Sequence, residues 1–408
     1  MKEQLRIMYA SNAPWCNSGY GVQGRSLVPR LKKLDVVEDV AVFAWFGLEG
    51  GGMVMGDIPV YPRGVDPYGN DMYGAHCGHF RADILITLID IWVIKPQIAE
   101  DLGECKWLPW LPVDHDPAPE IVVKPAKAAY LPISYAKFGR EKLTEAGVEN
   151  VYIPHGVEVD TFKILPDDRV REFRKTVCED AAWLGVMVSA NKGWPSRKGF
   201  METLAAFKQV LPRLPQPALL YIHADFSKVL GGGDLGAIVK AMGLADNVRF
   251  PNRYKLWIGD YDQNYLAMMY NAADIFLGPS RGEGFGIPII EAQACGAPVI
   301  VTNFSSMPEL VRWGVAVEPE RLDWTYQDSW QAIPHVPGIA TAMLQLTEER
   351  QALTNGKLRA RREATSWAIH QEFDWDVLVR DYWRPTLVDV LEDVNNGGNH
   401  GRNQRHAG

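Results

Sequence analysis

Short apolar runs alternate with amphipathic stretches along the whole chain. In the first half such runs predict strands at 5–10, 40–45, 84–89, 107–113 and 129–133, and in the second half at 184–189, 218–223, 248–250, 275–277 and 299–302. Helices are predicted near 199–211, 264–273 and 338–362. Continuous apolar strands alternating with helices are typical of parallel sheets covered on both faces. The pattern predicts an α/β fold.

Two domains are predicted, because 408 residues exceed the usual size of one hydrophobic core. Proline and glycine interrupt the strand and helix pattern at 153–162, which favours a boundary between domains at 1–155 and 156–372. The segment 373–394 is rich in aromatic residues and predicts packed helices. The polar, glycine-rich tail 395–408 is expected to be disordered.

Composition narrows the function classes. The net charge of −8 argues against a general nucleic-acid-binding protein, which needs a basic surface to bind phosphates. The five cysteines are odd in number and scattered, so neither a disulfide framework nor a zinc cage is expected. No apolar run is long enough to span a bilayer, and the chain starts without a signal-type apolar core. These observations predict a cytoplasmic protein with reduced thiols.

The segment 280–291, SRGEGFGIPIIE, is the most informative part of the sequence. A buried strand precedes it, its glycines allow backbone amides to approach a ligand closely, and Pro288 suits the start of a helix. Glu283 is expected on the loop and Glu291 in the first helical turn. Because carboxylates accept hydrogen bonds from paired hydroxyls, Glu283 could hold a sugar and Glu291 a ribose, with a diphosphate at the helix N-terminus.

Two further loops could contact phosphate. A polar turn containing Gly19 and Gly21 follows the first strand and leads into a helix, whose N-terminal amides suit an anion. A second loop follows the strand at 184–189 and contains Lys192 and Lys198, which could neutralise a diphosphate leaving group. Each loop also has a plain structural interpretation, as a tight turn or a solvated basic loop.

A family resemblance rests on the segment from Glu283 to Glu291, with Gly284-Phe285-Gly286 inside it and Ala297-Pro298-Val299 after it. These residues resemble the signature of the retaining glycosyltransferases of family 4. The resemblance implies the GT-B architecture, with two Rossmann-like domains and a deep interdomain cleft. It implies a metal-independent hexosyltransferase that takes sugar from a nucleoside diphosphate donor, requires no cofactor and works by same-face displacement, in which the leaving phosphate helps to take the acceptor proton. No residue can be assigned as a covalent nucleophile.

The resemblance also assigns roles to individual residues. Lys198 matches the lysine of the family's Arg-Lys-Gly stretch. Lys192 stands where many relatives carry an arginine, which leaves the first phosphate contact open among Asn191, Lys192 and Arg197. Donor contacts are further expected from Gly19, Gly21, Glu283, Gly284, Phe285, Gly286, Ile287 and Glu291.

The same resemblance makes 1–155 the acceptor-side domain and 156–372 the nucleotide-sugar-binding domain, with 373–394 crossing back to the first domain. Asp114 and His115 follow a predicted strand, where the family carries an active-site histidine, and we expect both to contact the sugar or the acceptor. With Lys198 and Glu283 they form the predicted catalytic set.

Two alternatives remain open from the sequence. Asp114 and Asp116 form an Asp-x-Asp pair, which could hold a metal in a GT-A-like transferase. The second alternative is a non-catalytic protein that binds a nucleotide sugar, because a fold alone does not establish a function. The sugar, the base and the hydroxyl acceptor are left undetermined, and peripheral contact with the inner face of a membrane is compatible with the sequence.

Overall fold

The computed structural model describes residues 2–354 and 356–396. Internal packing divides them into two compact units. Unit 1 comprises 2–156, 326–329 and 373–396, and unit 2 comprises 157–325 and 330–372 apart from residue 355. The predicted tail falls largely at 397–408, which lie outside the described residues.

Unit 1 is built on one eight-stranded sheet. Its strands are β1 (Leu5–Asn12), β2 (Val37–Phe46), β3 (Met53–Met55), β4 (Ile58–Pro62), β5 (Ile84–Leu88), β6 (Lys106–Leu111), β7 (Ile133–Ser134) and β8 (Val151–Tyr152). Its helices are α1 (Gly19–Leu31), α2 (Tyr73–Phe80), α3 (Ile98–Asp101), α4 (Glu120–Ala128) and α5 (Lys137–Glu145). The strand order is β3-β4-β2-β1-β5-β6-β7-β8, and all neighbours are parallel except β3 and β4.

Unit 2 contains a six-stranded parallel sheet and a separate hairpin. Its strands are β9 (Trp183–Val188), β10 (Ala218–His223), β11 (Val248–Arg249), β12 (Ile275–Gly278), β13 (Val299–Thr302), β14 (Gly314–Val317), β15 (Arg321–Trp324) and β16 (Trp330–Ile333). Its helices are α6 (Asp167–Val177), α7 (Phe200–Val210), α8 (Leu235–Ala241), α9 (Arg253–Trp257), α10 (Gln263–Ala272), α11 (Ile287–Ala294), α12 (Val336–Ala352) and α13 (Lys357–Phe373). The sheet order is β11-β10-β9-β12-β13-β14, and β15 pairs only with β16, in antiparallel register.

The C-terminal segment belongs to unit 1. It consists of α14 (Trp375–Leu378), a π-helical turn at Val379–Trp383, and α15 (Arg384–Asn395). Trp375 and Trp383 are buried and contact the ring of Trp110, on β6, edge to face. Gly156 lies so close to Trp375 that an added Cβ would be 2.5 Å from its ring. The aromatic residues predicted to pack do form part of a core.

The α/β prediction is confirmed, and three predicted elements need correction. The strand expected at 129–133 is only Ile133–Ser134, because Pro132 interrupts the run and cannot donate to a ladder. The single helix expected at 338–362 is two helices, α12 and α13, separated by a turn in which Gly356 adopts φ +81°. Glu291 lies in the second turn of α11 rather than the first.

Candidate nucleotide-sugar site

The strand order of unit 2 defines where a ligand should bind. The chain leaves β9 toward β10 on one side of the sheet and later adds β12 on the other side. The loops that follow β9 and β12 therefore diverge at the carboxyl edge of the sheet, and such a switch point is where open α/β sheets bind ligands. The β9–α7 loop (189–199) and the β12–α11 loop (279–286) are the two loops of unit 2 in which the sequence predicts donor contacts.

Backbone contacts hold these two loops together. Gly199, with φ +69°, packs so tightly that an added Cβ would lie 2.0 Å from the carbonyl oxygen of Pro279. The Arg281 N–H donates to the Arg197 carbonyl at 2.7 Å, and Arg197 Nη1 donates to the Gly282 carbonyl at 2.6 Å. Only glycine permits the approach at 199, and this approach places Lys198 beside the signature loop.

Glu283 is the centre of the resulting side-chain cluster. Its Oε1 lies 2.5 Å from Lys198 Nζ and accepts a hydrogen bond from Ser280 Oγ at 2.5 Å, while its Oε2 lies 3.0 Å from Arg197 Nη1. The side chain of Glu283 is only 13% exposed. Burial alone would raise the pKa of this carboxyl, but the charges of Lys198 and Arg197 and the hydrogen bonds outweigh burial and lower the pKa to about 2. Glu283 is therefore a carboxylate at neutral pH.

Two serines after the neighbouring strand β13 fix the backbone of the signature loop. The Glu283 N–H donates to Ser305 Oγ at 2.9 Å, and Ser306 Oγ donates to the carbonyls of Glu283 and Phe285 at 2.8 and 2.6 Å. Sequence reasoning did not assign a role to either serine. Their position directly after a strand parallel to β12 is the signal that could have found them, because parallel strands end at the same edge.

Glu291 lies apart from this cluster, in a buried environment. It is 7% exposed, and its Oε2 accepts a hydrogen bond from the hydroxyl of Tyr270 at 3.0 Å. Burial raises the pKa of Glu291 to about 7, with only partial opposition from the Tyr270 hydrogen bond. Tyr270, on α10, is a second contact that the sequence did not predict.

The remaining predicted donor residues differ in how they are held. Asn191 is buried, and its side-chain amide donates to the carbonyls of Asp225, Ser227 and Gly233 and accepts from the Gly233 N–H. It thus closes the loop after β10, whereas Lys192 beside it is exposed.

The backbone turns sharply where the signature loop enters α11. Gly286 precedes the first residue, Ile287, and adopts φ +107°, while Phe285 is buried. Within the described chain no side chain caps the N-terminus of α11. Side-chain capping therefore does not occupy the amides at the start of α11.

In unit 1 the predicted glycine turn is closed by its own residues. Gly21 approaches the preceding loop so closely that an added Cβ would lie 2.4 Å from the Cys16 carbonyl oxygen. Its N–H donates to Ser18 Oγ, the N-cap of α1, at 3.2 Å, so this amide is not open to a ligand. Gly19 is exposed and begins α1.

Asp114 and His115 follow β6 in unit 1. His115 is buried, and its Nδ1 lies 2.7 Å from Asp114 Oδ1. A neutral ring that donates from Nδ1 keeps Nε2 as an acceptor. Asp116 pairs instead with Lys142 at 3.1 Å, so the two carboxylates of the Asp-x-Asp motif are engaged by different partners.

Two absences hold for residues 2–354 and 356–396. Within these ranges no cluster of three or more His, Cys, Asp and Glu side chains is arranged to hold a metal ion. Likewise, none of the helices in this part of the chain combines the length and apolar character of a membrane span.

Comparison with known proteins identifies the class of fold. A sucrose-phosphate synthase from Thermosynechococcus elongatus superposes with a TM-score of 0.70 at 17% identity, covering 97% of this chain and 100% of that chain. The Anabaena protein HepE, crystallised with UDP and glucose, gives a TM-score of 0.66 at 16% identity, covering 96% and 100%. These similarities show the GT-B fold of two Rossmann-like domains, as predicted, and exclude the GT-A architecture.

Sequence similarity to known proteins is concentrated in unit 2. Residues 185–346 match the family model for glycosyl transferases group 1. A D-inositol 3-phosphate glycosyltransferase from Jonesia denitrificans is 29% identical over 245 residues, which are 59% of this chain and 51% of that protein. The match thus spans about half the length of that relative. Residues 185–346 of unit 2 are thus similar to the group 1 glycosyltransferases, in agreement with the resemblance read from the signature.

Proposed function

We propose that this protein is a retaining, metal-independent glycosyltransferase that moves a sugar from a nucleoside diphosphate donor to a hydroxyl acceptor. The observation that carries the proposal is the cluster of Lys198, Arg197 and Glu283 at the switch point of a group 1 glycosyltransferase domain. The similar proteins point the same way, since HepE was crystallised with UDP and glucose and the Jonesia relative is a D-inositol 3-phosphate glycosyltransferase.

The two cations of the cluster would stabilise the departing diphosphate. Lys198 presents a point charge and Arg197 a planar fork, and both lie on a loop fixed by backbone contacts to the signature loop. Preorganised charges of this kind lower the cost of charge development without a metal ion. Lys192, exposed on the same loop, would add charge, whereas Asn191 would act indirectly by closing the loop after β10.

The carboxylates would orient the donor. Glu283, ionised and held by two cations, suits hydrogen bonds from sugar hydroxyls better than proton transfer. When donor binds, the sugar hydroxyls would donate to Glu283 and the phosphates would pair with Lys198. The Lys198–Glu283 ion pair would therefore exist only in the donor-free protein. Glu291 would accept from the ribose, and the uncapped N-terminus of α11, with Gly284, Phe285, Gly286 and Ile287, would offer amides to the phosphates.

The residues of unit 1 complete the proposal. His115, oriented by Asp114, would contact sugar or acceptor, and Gly19 would border the donor phosphates. No residue is assigned as a covalent nucleophile. We propose displacement on one face of the sugar, in which the leaving phosphate takes the acceptor proton.

Donor screening with matched variants tests this function. UDP-, GDP- and ADP-sugars are assayed for hydrolysis, with and without EDTA, and the bare diphosphates are measured by calorimetry. Activity should survive EDTA, because Lys198 and Arg197 replace the metal. Activity lost in EDTA, restored by Mn²⁺ and absent in Asp114→Asn would refute metal independence.

The variants Lys198→Ala and Glu283→Gln separate the two roles. Lys198→Ala should weaken binding of the bare nucleoside diphosphate by roughly tenfold or more, since a charge-assisted contact is lost. Glu283→Gln should reduce turnover far more than diphosphate affinity, because in the donor complex Glu283 would contact the sugar and not the diphosphate. The substitution also releases Lys198 from its ion pair, so that Lys198 can still bind phosphate. Unchanged affinity in Lys198→Ala with an intact fold would remove the proposed site.

A further inference from the structure

Among the described residues of unit 2, the strands β15 and β16 lie outside the parallel sheet and form a separate hairpin. It is attached to the signature loop, because the Ala332 N–H on β16 donates to the Arg281 carbonyl at 2.9 Å. Arg281 stands two residues before Glu283. The two strands of the hairpin are therefore joined to the candidate donor site of unit 2, whereas the turn between them, at 326–329, belongs to unit 1.

Two tryptophans dominate one face of this hairpin. Trp324 and Trp330 are directly opposed across the strands, with ring centroids 4.8 Å apart and planes inclined by 77°. Trp324 is 54% exposed and Trp330 39% exposed. Leu322, two residues along the same face, is also exposed. A cross-strand aromatic pair stabilises a hairpin, but that role does not require so much open ring surface.

The charges of the hairpin select among ligands that stack on aromatic rings. On the opposite face Arg321 pairs with Asp323 at 2.9 Å and with Glu320 at 3.3 Å. The local cation is thus matched by two carboxylates in a chain of net charge −8. A nucleic acid or an anionic bilayer needs uncompensated cations. A neutral sugar does not, because its C–H face packs on indole and its hydroxyls bond to polar neighbours.

We propose that the β15–β16 hairpin is an acceptor-binding surface in addition to the acceptor contacts expected from residues 1–155, and that the acceptor is a neutral glycan whose sugar ring stacks on Trp324 and Trp330. This inference rests on the proposed transferase function and names its substrate class. The hydrogen bond from Ala332 to Arg281 joins the strand that carries Trp330 to the loop that carries Glu283.

Affinity electrophoresis and calorimetry on the full chain test the proposal. The probes are yeast mannan, dextran, laminarin and their oligosaccharides, with phosphatidylglycerol vesicles and a single-stranded oligonucleotide as competing classes. The variants are Trp324→Leu, Trp330→Leu and Trp324→Tyr. Trp367→Leu is the matched control, because Trp367 is 65% exposed on α13, away from the hairpin.

The wild-type protein should bind at least one neutral glycan. Trp324→Leu and Trp330→Leu should bind it about tenfold more weakly, since leucine keeps apolar bulk but no flat ring. Trp324→Tyr and Trp367→Leu should bind nearly as wild type. Three results would overturn the proposal. They are unchanged glycan affinity in the two leucine variants, binding to vesicles or oligonucleotide only, and no binding to any glycan. Donor hydrolysis without acceptor, measured in parallel, reports on the proposed function separately, because the hairpin variants should leave it unchanged.

Discussion

At the scale of single residues, two glutamates eight positions apart have opposite protonation behaviour. Glu283 lies beside two cations, which outweigh burial and hold its pKa at about 2, whereas Glu291 is buried with a tyrosine partner, and burial raises its pKa to about 7. The same residue type therefore supplies a fixed carboxylate in one place and a titrating group in the other. A ribose diol that donates to Glu291 would favour its ionised form.

The raised pKa of Glu291 predicts a pH-dependent stability. The folded protein keeps this proton to about pH 7, while the unfolded chain releases it near pH 4.5, so the stabilisation is complete below pH 4.5 and is lost as pH rises through 7. Glu291→Gln lacks this titration. Between pH 5 and pH 8 the wild type should lose up to about 3 kcal/mol of unfolding free energy relative to Glu291→Gln. Urea denaturation of both proteins across this range gives the difference, and parallel curves would contradict the assignment.

At the scale of elements, one glycine contact assembles the site. The β9–α7 loop can meet the β12–α11 loop only because Gly199 has no side chain against the Pro279 carbonyl. Arg197 and Lys198 precede this glycine directly, so the contact fixes both cations. Gly193, in the same loop, has the same φ of +69° but open space around it.

These two glycines form a matched pair for mutation. Gly199→Ala and Gly193→Ala both force alanine into a left-handed backbone, at about 1 to 2 kcal/mol. Only Gly199→Ala also collides with backbone, so it should displace Lys198 and weaken nucleoside diphosphate binding by roughly tenfold beyond Gly193→Ala. Calorimetry with each variant, after circular dichroism confirms folding, provides the measurement. Equal affinities in the two variants would show that the close approach at Gly199 is not needed.

At the scale of the whole molecule, unit 1 is completed by residues from both ends of the chain. Trp375 and Trp383 from the C-terminal segment pack on Trp110, whose Nε1 donates to the Ile153 carbonyl at 2.8 Å. His155 lies against the same Trp110 ring at 4.3 Å, and burial lowers its pKa to about 3. The core of unit 1 therefore depends on a segment more than 200 residues away in sequence.

Loss of one of these tryptophans should destabilise unit 1 strongly. Trp375→Ala removes a buried ring from this cluster and should cost about 3 to 5 kcal/mol of unfolding free energy. The control Trp367→Ala, at an exposed position, should stay within about 0.5 kcal/mol of wild type. Denaturant unfolding followed by fluorescence and circular dichroism measures both. A small effect of Trp375→Ala would mean that the C-terminal segment contributes little to unit 1.

The sequence by itself determined the fold class and the position of the signature loop. Strands such as β10 and β13 were predicted to the residue, because an apolar run bounded by turn residues has one stable placement in a covered parallel sheet. Glu283, Lys198 and Glu291 were singled out because glycine or proline occurs in the short segments that contain them, which is a local signal, and their roles stay predictions.

Only the tertiary structure decided which of these residues meet. The ion pairs of Glu283, the serines after β13, the burial of Glu291 against Tyr270 and the exposed tryptophan pair all join segments distant in sequence. Contacts of this kind depend on strand order and close packing, which no local pattern encodes. The sequence therefore indicated which side chains belong to the candidate site. The folding of β9 beside β12 determined their partners, their charges and their pKa values.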